Sequence, residues 1–378
     1  MRVAFGVTAW AQGAASGHLD GIGIYTQKLW QALQQPSTPF DFQPLQFRTA
    51  QPAPTGTPQP LTLPYRYAQG LLPAVLSSLP FWGNRRLCRA FDLVHATDHH
   101  IPRLRGLPLI ATVMDTIPIT HPHWAFAKHA RLKAQLFRKV LHWADHIITI
   151  SAHSRADLIT HADIAPERIT VIPLGVEAQE FAPLPTRQRE HILSRYHLQP
   201  GYFLFVGTLQ PRKNLERLLA AHARLDQAAR RRHPLIIVGQ PGWCMRAFID
   251  TLKQAARHEP VRWLEYVPRA DLMVLYQGAQ ALVHPSLYEG FGLTILEGFA
   301  SGIPVITANT TALPEVAGDA ACLVDPYDVD AIAQAMQQII DDPALRAHLI
   351  QAGQNRVGQF SWAACAQQTL HVYQRFAV

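Results

Sequence analysis

The sequence predicts an α/β protein built from two doubly wound parallel-sheet domains that face each other across a cleft. Three observations lead there. Short apolar runs of strand length alternate with helical stretches through most of the chain, the pattern of parallel strand–helix–strand units. A proline-marked stretch, Phe181-Ala182-Pro183-Leu184-Pro185, divides two such series. The chain has 378 residues, 48% hydrophobic and 16% charged, with a mean hydropathy of −0.01, which is enough for two cores. Its 29 prolines and 22 glycines are spread without a period and aromatics make up 9%, which excludes a collagen-like or wholly disordered chain. In open parallel sheets ligands sit beyond the carboxyl ends of the strands, so chemistry is expected in strand-to-helix loops.

In the first domain, residues 1–185, strands are expected at Arg2 to Val7, Leu93 to Ala96, Leu109 to Val113, His146 to Ile150 and Ile169 to Ile172. Helices are expected at Ile24 to Leu33 after a glycine-rich turn, at Phe126 to Ala144, and at Ala152 to Thr160 behind Ser151. The second of these places Leu132, Leu136, Phe137, Val140 and Leu141 on one stripe. Residues 47 to 64, rich in Pro, Gln and Thr, read as a surface loop. In the second domain, residues 186–357, strands are expected at Tyr202 to Val206, Leu235 to Val238, Val261 to Tyr266, Ala281 to His284, Val305 to Ala308 and Cys322 to Val324.

No apolar run reaches the ~18 to 20 residues of a membrane-spanning helix. The nearest, Leu71 to Trp82, is broken by Pro73 and Pro80. The N-terminus reads as a first strand rather than a secretory leader, so a cytoplasmic location is expected. Cys88, Cys244, Cys322 and Cys365 lie far apart, which gives neither a zinc pattern nor a disulfide framework, and they read as buried thiols. Asp98-His99-His100 is too local to supply a metal ligand set, and Asp341-Asp342-Pro343 reads as a helix cap.

The formal net charge is +7, and its distribution says more than its sum. Residues 66 to 155 hold twelve Lys and Arg against four acids, a local excess of eight. No helix-turn-helix, zinc-finger or RNA-binding signature accompanies the excess, so no nucleic-acid partner is expected. An anionic membrane surface suits it better, with peripheral attachment at the inner face.

The sharpest motif is His284-Pro285-Ser286-Leu287-Tyr288-Glu289-Gly290-Phe291-Gly292-Leu293-Thr294-Ile295-Leu296-Glu297-Gly298. It follows a strand, and apolar spacing from Leu293 through Leu296 to Ala300 begins a helix near Phe291. Gly290 and Gly292 let backbone approach a ligand, and the N–H groups at the helix start suit an anion. Glu289 and Glu297 are then placed to accept hydrogen bonds from sugar or ribose hydroxyls; the alternative is a turn residue and a solvated helix residue. Upstream, Arg212 and Lys213 follow a strand and Gly207 and precede a helix, a pair suited to a pyrophosphate whose charge rises as it leaves, or else a solvated basic turn. Gly21 and Gly23 precede a helix, and offer amides at the cleft edge or simply a helix-start turn. They lack the Gly-x-Gly-x-x-Gly spacing directly after a strand, which disfavours a nicotinamide dehydrogenase. Asp115, at the end of the strand Leu109 to Val113, is a cleft side chain or a helix cap.

The two glutamates separated by seven residues, in the form Glu289-Gly290-Phe291-Gly292 to Glu297, resemble the signature of glycosyltransferase family 4, retaining enzymes of the GT-B fold. The resemblance extends through Ser301-Gly302-Ile303-Pro304-Val305-Ile306, Leu313-Pro314-Glu315-Val316-Ala317-Gly318-Asp319-Ala320-Ala321 and Val324-Asp325-Pro326. Phe205-Val206-Gly207-Thr208-Leu209-Gln210-Pro211-Arg212-Lys213-Asn214-Leu215 is similar to the family's donor-phosphate loop. Asp20-Gly21-Ile22-Gly23-Ile24-Tyr25, Asp115-Thr116-Ile117-Pro118 and Thr149-Ile150-Ser151-Ala152-His153-Ser154-Arg155 are also family-like. Two departures stand out: Thr208 occupies a position where many relatives carry Arg, and Met114 one where many carry His.

The resemblance implies two Rossmann-like domains, the first binding the acceptor, with residues 358–378 packing back on it, and the second binding a nucleotide-sugar. It implies Arg212, Lys213 and Glu289 as catalytic residues and Gly21, Gly23, Gly207, Gly290, Phe291, Gly292, Leu293 and Glu297 as donor-binding residues; with Met114 where the family's His would stand, Asp115 is the candidate polar catalytic residue of that loop. It further implies hexosyl transfer with retention to a hydroxyl acceptor, no cofactor, and no required metal, since no Asp-x-Asp pair ends a strand in the first domain. The Pro211-Arg212-Lys213-Asn214 variant is similar to mannosyltransferases, which points to GDP-mannose. The acceptor expected from the basic, apolar surface is a saccharide linked to polyprenyl pyrophosphate in polysaccharide assembly. The rival expectations are another hexosyl donor such as UDP-glucose with a soluble acceptor, a GT-B epimerase or phosphorylase, or a non-catalytic sugar-nucleotide binding protein.

Overall fold

Runs of aliphatic residues buried on both faces favour parallel strands covered by helices. Thirteen such strands form two sheets among the residues the computed structural model describes, 1–16, 19–34, 38–49, 59–77, 79–126, 128–242 and 246–377. Each sheet anchors one of two units: Met1–Gly175 with Trp362–Val378, and Val176–Ser361. The boundary at Gly175 falls ahead of the Phe181 to Pro185 stretch, and the returning segment begins at Trp362.

The first unit holds β1 (Arg2–Gly6), β2 (Asp41–Phe47), β3 (Leu61–Leu63), β4 (Leu93–Ala96), β5 (Leu109–Val113), β6 (His146–Thr149) and β7 (Ile169–Val171), in the order β3-β2-β1-β4-β5-β6-β7. Every residue of β4, β5 and β6 is buried. Two of these strands were not expected. β2 carries Gln43, Pro44 and Gln46, which break its apolar pattern. Pro44 stands just before the Leu45 to Phe47 stretch that pairs with β3, where its missing N–H leaves that ladder intact. β3 lies inside the expected 47–64 loop; residues 50–58 of that stretch lie outside the described residues.

The expected helix Phe126 to Ala144 is shorter, Ala130–Leu141, because His129 takes a left-handed conformation at φ 54° ahead of it. Leu132 does not join its buried stripe and is 57% exposed. The returning helix Trp362–Gln374 packs on this unit through buried polar contacts as well as apolar ones. Tyr373 Oη meets His95 Nδ1 at 2.6 Å, and His95 Nε2 meets Thr112 Oγ1 at 2.8 Å, which in turn lies 2.9 Å from Tyr25 Oη. Burial pushes His95 down to about 3, so the ring is neutral and the chain of bonds carries no buried charge.

The second unit holds β8 (Tyr202–Val206), β9 (Leu235–Val238), β10 (Val261–Leu264), β11 (Ala279–His284), β12 (Val305–Ala308) and β13 (Cys322–Val324), in the order β10-β9-β8-β11-β12-β13. Its core runs through Phe203, Leu218, Ile237, Leu252, Ile306 and Met336. The strand order turns back between β8 and β11, and the loops leaving these two neighbours are the ones that hold Arg212, Lys213 and Glu289. Asp342 caps the helix Pro343–Val357, accepting from Leu345 N at 2.9 Å, as expected of that acidic pair.

Cys365 is buried, whereas Cys88 and Cys322 are half-buried rather than buried thiols; Cys244 lies outside the described residues. No helix of the described residues is long and apolar enough to cross a membrane.

Candidate active site

β8 ends at Val206, and Gly207 turns the chain at φ +147°, a conformation that favours glycine. The loop after β9 crosses so close that a Cβ on Gly239 would stand 2.0 Å from the Gly207 carbonyl oxygen. Gly239, at φ +154°, is therefore required by sterics, a position the motif reading passed over. Residues Pro211–Lys213 then make one 3₁₀ turn, and Asn214 takes a left-handed conformation at φ 60°. The Asn214 amide donates to Pro285 O (2.9 Å) and Pro326 O (2.6 Å), while Leu287 N donates to Arg212 O (2.7 Å). These bonds tie the basic loop to the loops after β11 and β13.

The loop after β11 brings Glu289 onto both cations. Arg212 Nη1 donates to Glu289 Oε2 at 2.7 Å and Lys213 Nζ to Oε1 at 2.5 Å. Arg212 is further fixed by Gln210 Oε1 at 2.9 Å and the Tyr288 carbonyl at 3.1 Å. Glu289 is 8% exposed and Lys213 7%, so neither is a turn residue in solvent. Burial raises the Glu289 carboxyl, but the adjacent Arg212 and Lys213 charges outweigh it and hold the group well below the usual carboxylate range. The cluster is ionised, with two cations facing one carboxylate.

Phe291 does not begin the helix. Gly292, at φ +127°, ends the loop and the helix runs Leu293–Ala300, so the N–H groups of its first turn start at Leu293. Gly290 and Phe291 belong to the loop, and the buried Phe291 ring packs edge-on against Phe360, centroids 5.8 Å apart.

Glu297 is held by a separate set of partners. Tyr276 Oη donates to its Oε2 at 2.9 Å, and Arg269 Nη1 to its Oε1 at 3.0 Å. Arg269 also donates to Glu180 Oε2, at 2.9 Å through Nη2 and 3.1 Å through Nε. The Glu297 side chain is 14% exposed, so it is not a solvated helix residue.

The remaining sequence-predicted residues belong to the first unit and are described within it. Asp115 accepts from Ile117 N at 3.0 Å and thereby turns the chain into the short helix Ile117–Thr120. Asp20 caps the helix Gly21–Leu33 by accepting from Gly23 N at 2.8 Å, which engages the amide that a ligand would otherwise meet. Gly21 opens that helix, and a Cβ there would meet nothing within 4 Å.

Two family models divide the chain: residues 36–180 match the model described as Glycosyltransferase Family 4, and residues 190–356 match Glycosyl transferases group 1. O-antigen chain mannosyltransferase B of Escherichia coli is 35% identical over 282 residues, which cover 74% of this chain and 74% of that protein. The chain belongs to glycosyltransferase family 4. The MMP alpha-(1->4)-mannosyltransferase of Mycolicibacterium hassiacum is 29% identical over 289 residues, 75% of this chain and 66% of that one. Among solved structures, HepE of Anabaena in complex with UDP-glucose superposes with a TM-score of 0.75 at 17% identity, over 99% of this chain and 100% of that one. The glycosyltransferase has the GT-B fold.

In this glycosyltransferase the Arg212, Lys213 and Glu289 constellation joins residues more than seventy positions apart. The reading of the motif named all three but missed those that hold them. His284, the last residue of β11, meets Glu289 Oε1 through Nε2 at 3.1 Å, and Ser286 Oγ lies 3.1 Å from the same nitrogen. A histidine at a strand's carboxyl end, directly ahead of the glutamate loop, was the available signal. Arg269 and Tyr276 stand outside every motif, and nothing in their local sequence marks them. Among the described residues no group of three or more His, Cys, Asp or Glu is placed to hold a metal ion.

Proposed function

We propose that this enzyme transfers mannose from GDP-mannose to a hydroxyl of a saccharide carried on a polyprenyl pyrophosphate, with retention at the anomeric carbon. The observation that carries the reading is the Arg212–Glu289–Lys213 cluster, a half-buried and a buried cation poised for a diphosphate beside a carboxylate poised for sugar hydroxyls. The mannosyltransferase relatives support the sugar, and the UDP-glucose held by HepE supports a nucleotide-sugar as donor.

On this reading the donor diphosphate takes Arg212 and Lys213 and releases Glu289 to accept from the sugar hydroxyls. The bond from the anomeric carbon to the phosphate oxygen breaks, the bond to the acceptor oxygen forms on the same face, and the acceptor proton passes to the leaving phosphate. Arg212, Lys213 and the helix start at Leu293 stabilise the charge that develops on the leaving group. Glu297 holds the ribose, and Asp115 borders the acceptor. Two cationic side chains neutralise the diphosphate, so no metal is required.

Purified protein offered a panel of nucleotide-sugars with a lipid-linked acceptor tests this. GDP release from GDP-mannose, dependent on acceptor and unchanged by chelator, is the expected result. Turnover of UDP-glucose instead would correct the donor, loss of activity in chelator with recovery in manganese would overturn metal independence, and binding without turnover would make the protein a sugar-nucleotide sensor.

The membrane part of the proposal rests on the surface of the first unit. Leu72 and Leu76, four residues apart on the helix Tyr67–Ser77, are exposed, as are Leu79 and Trp82. Arg85, Arg86 and Arg89 are exposed on the next helix, Asn84–Ala90. Each cation near an anionic leaflet contributes on the order of 1 kcal/mol, and the apolar side chains can enter the headgroup boundary. Vesicle sedimentation should show binding that requires anionic lipid, falls as salt rises, and weakens when Arg85, Arg86 and Arg89 become Gln. Equal binding to neutral and anionic vesicles, or to neither, would refute electrostatic attachment and favour a soluble acceptor.

A further inference from the structure

His284 has no part in the chemistry described so far, yet it is fully buried at the end of β11 and touches the carboxylate on which that chemistry turns. Its ring stacks on Phe205 of the neighbouring β8, centroids 5.7 Å apart and planes 12° from parallel, and its backbone carbonyl accepts from Thr307 Oγ1 at 2.9 Å. The side chain therefore sits on a rigid strand end with its plane fixed by an aromatic neighbour.

Among the described residues, three side chains meet the Glu289 carboxylate: Arg212, Lys213 and His284. Two of them are cations that the incoming diphosphate attracts. The third is not. An ionised carboxylate only accepts, so the proton between it and His284 lies on Nε2. Nδ1 is buried without a hydrogen-bond partner, which is compatible with a neutral ring whose lone pair lies on that atom, since a buried N–H there would be left without an acceptor. Burial and the nearby Lys213 charge keep the ring neutral, and the contact with Glu289 does not reverse this. A neutral donor attracts a diphosphate less than a cation does, and on this reading it stays with the carboxylate when the cations turn to the ligand.

We propose that His284 is a positioning residue for the transfer: its Nε2–H holds Glu289 Oε1 in place while the donor diphosphate engages Arg212 and Lys213. The carboxylate then meets the sugar hydroxyls in a single orientation. Ser286 Oγ, 3.1 Å from the same nitrogen, is a second acceptor for that N–H. This inference rests on the reading of the site as a sugar-transfer centre, and it predicts an effect on the bound complex rather than on binding.

The test compares His284→Leu, which removes the donor, with His284→Gln, which returns an N–H near the position of Nε2. His284→Leu should lower kcat by about 10-fold or more, the scale on which small misplacements of a reacting group act. The donor KM and the Kd for free GDP should stay within about threefold of wild type. His284→Gln should recover most of the lost kcat with an unchanged pH profile. Wild-type kcat in His284→Leu overturns the proposal. So does equal loss in both variants accompanied by a lower melting temperature, which would make His284 a packing residue. A shifted pH profile in His284→Gln also overturns it, by making the ring a proton carrier. Wild-type protein that turns over no nucleotide-sugar would refute the functional reading and this inference together, whereas an active wild type with an indifferent His284→Leu refutes the inference alone.

Discussion

Lys213→Ala is expected to lower turnover by about 10²-fold or more, the scale for losing one electrostatic contact to the charge that develops in a transition state. Lys213 Nζ lies 2.5 Å from Glu289 Oε1 in a site with little solvent, so its charge is poorly screened. Its stem packs beside Gly207, where a Cβ would stand 3.5 Å from Lys213 Cε. Lys213→Met keeps that packing and removes the charge with its bond to Glu289. It should lose the same turnover in protein that is still folded at the assay temperature by circular dichroism, which separates electrostatics from unfolding. Arg212→Ala should act in the same direction, since Gln210 and the Tyr288 carbonyl aim its guanidinium at the same carboxylate. Near-normal kcat in both Lys213→Ala and Arg212→Ala, measured at saturating donor, would dismiss the phosphate-loop assignment.

The central strands of each unit were legible because burial on both faces leaves little room for ambiguity. β4, β5, β8, β9 and β12 have the expected bounds, each an apolar run between polar turns, and so has the less buried β13. β2 and β3 were hidden for other reasons: β2 breaks its apolar pattern with Gln43 and Pro44 ahead of the stretch that pairs with β3 and with Gln46, which bonds Thr62, and β3 is a three-residue strand at the sheet's edge. The site was legible in part. That Arg212, Lys213 and Glu289 belong together followed from loops placed after strands, since neighbouring strands at the turn-back of the sheet bring their loops side by side. That the carboxylate lies on both cations is a property of tertiary packing, fixed by Asn214 and by the Gly207 and Gly239 crossing. The Arg269 bridge from Glu297 to Glu180 spans residues far apart in sequence, and no spacing rule reaches it.

The two motif glutamates have different partners, and the difference bears on their roles. Glu297 faces one arginine that it shares with Glu180, and a tyrosine hydroxyl kept protonated by burial and the adjacent carboxylate. On the proposed reading, nothing in this arrangement changes as charge develops on a diphosphate, and Glu297 is expected to supply binding that is equal in ground and transition states. Glu289, in contrast, lies between the two cations that the diphosphate needs. It is an internal anion that meets both cations, and on the proposed reading donor binding exchanges one anion for another.

Glu289→Ala should therefore separate two quantities that a purely structural carboxylate would move together. Turnover should fall by about 10²-fold, because the sugar loses an acceptor that orients it at the moment the anomeric bond breaks. Affinity for free GDP should hold or rise, because the competing carboxylate is gone and Arg212 and Lys213 face the ligand unopposed. Glu289→Gln refines the result: it keeps the shape, removes the charge, and should match the alanine variant in GDP affinity. Glu297→Ala provides the contrast, raising the donor KM with a smaller change in kcat, as expected when uniform binding is lost. Titration calorimetry with GDP and steady-state kinetics with the donor measure the two quantities independently. If Glu289→Ala lowered GDP affinity in step with turnover, the carboxylate would be a scaffold for the cations and not their competitor. If it changed affinity alone, Glu289 would be a binding group, and the orientation of the sugar would have to come from elsewhere in the loop after β11.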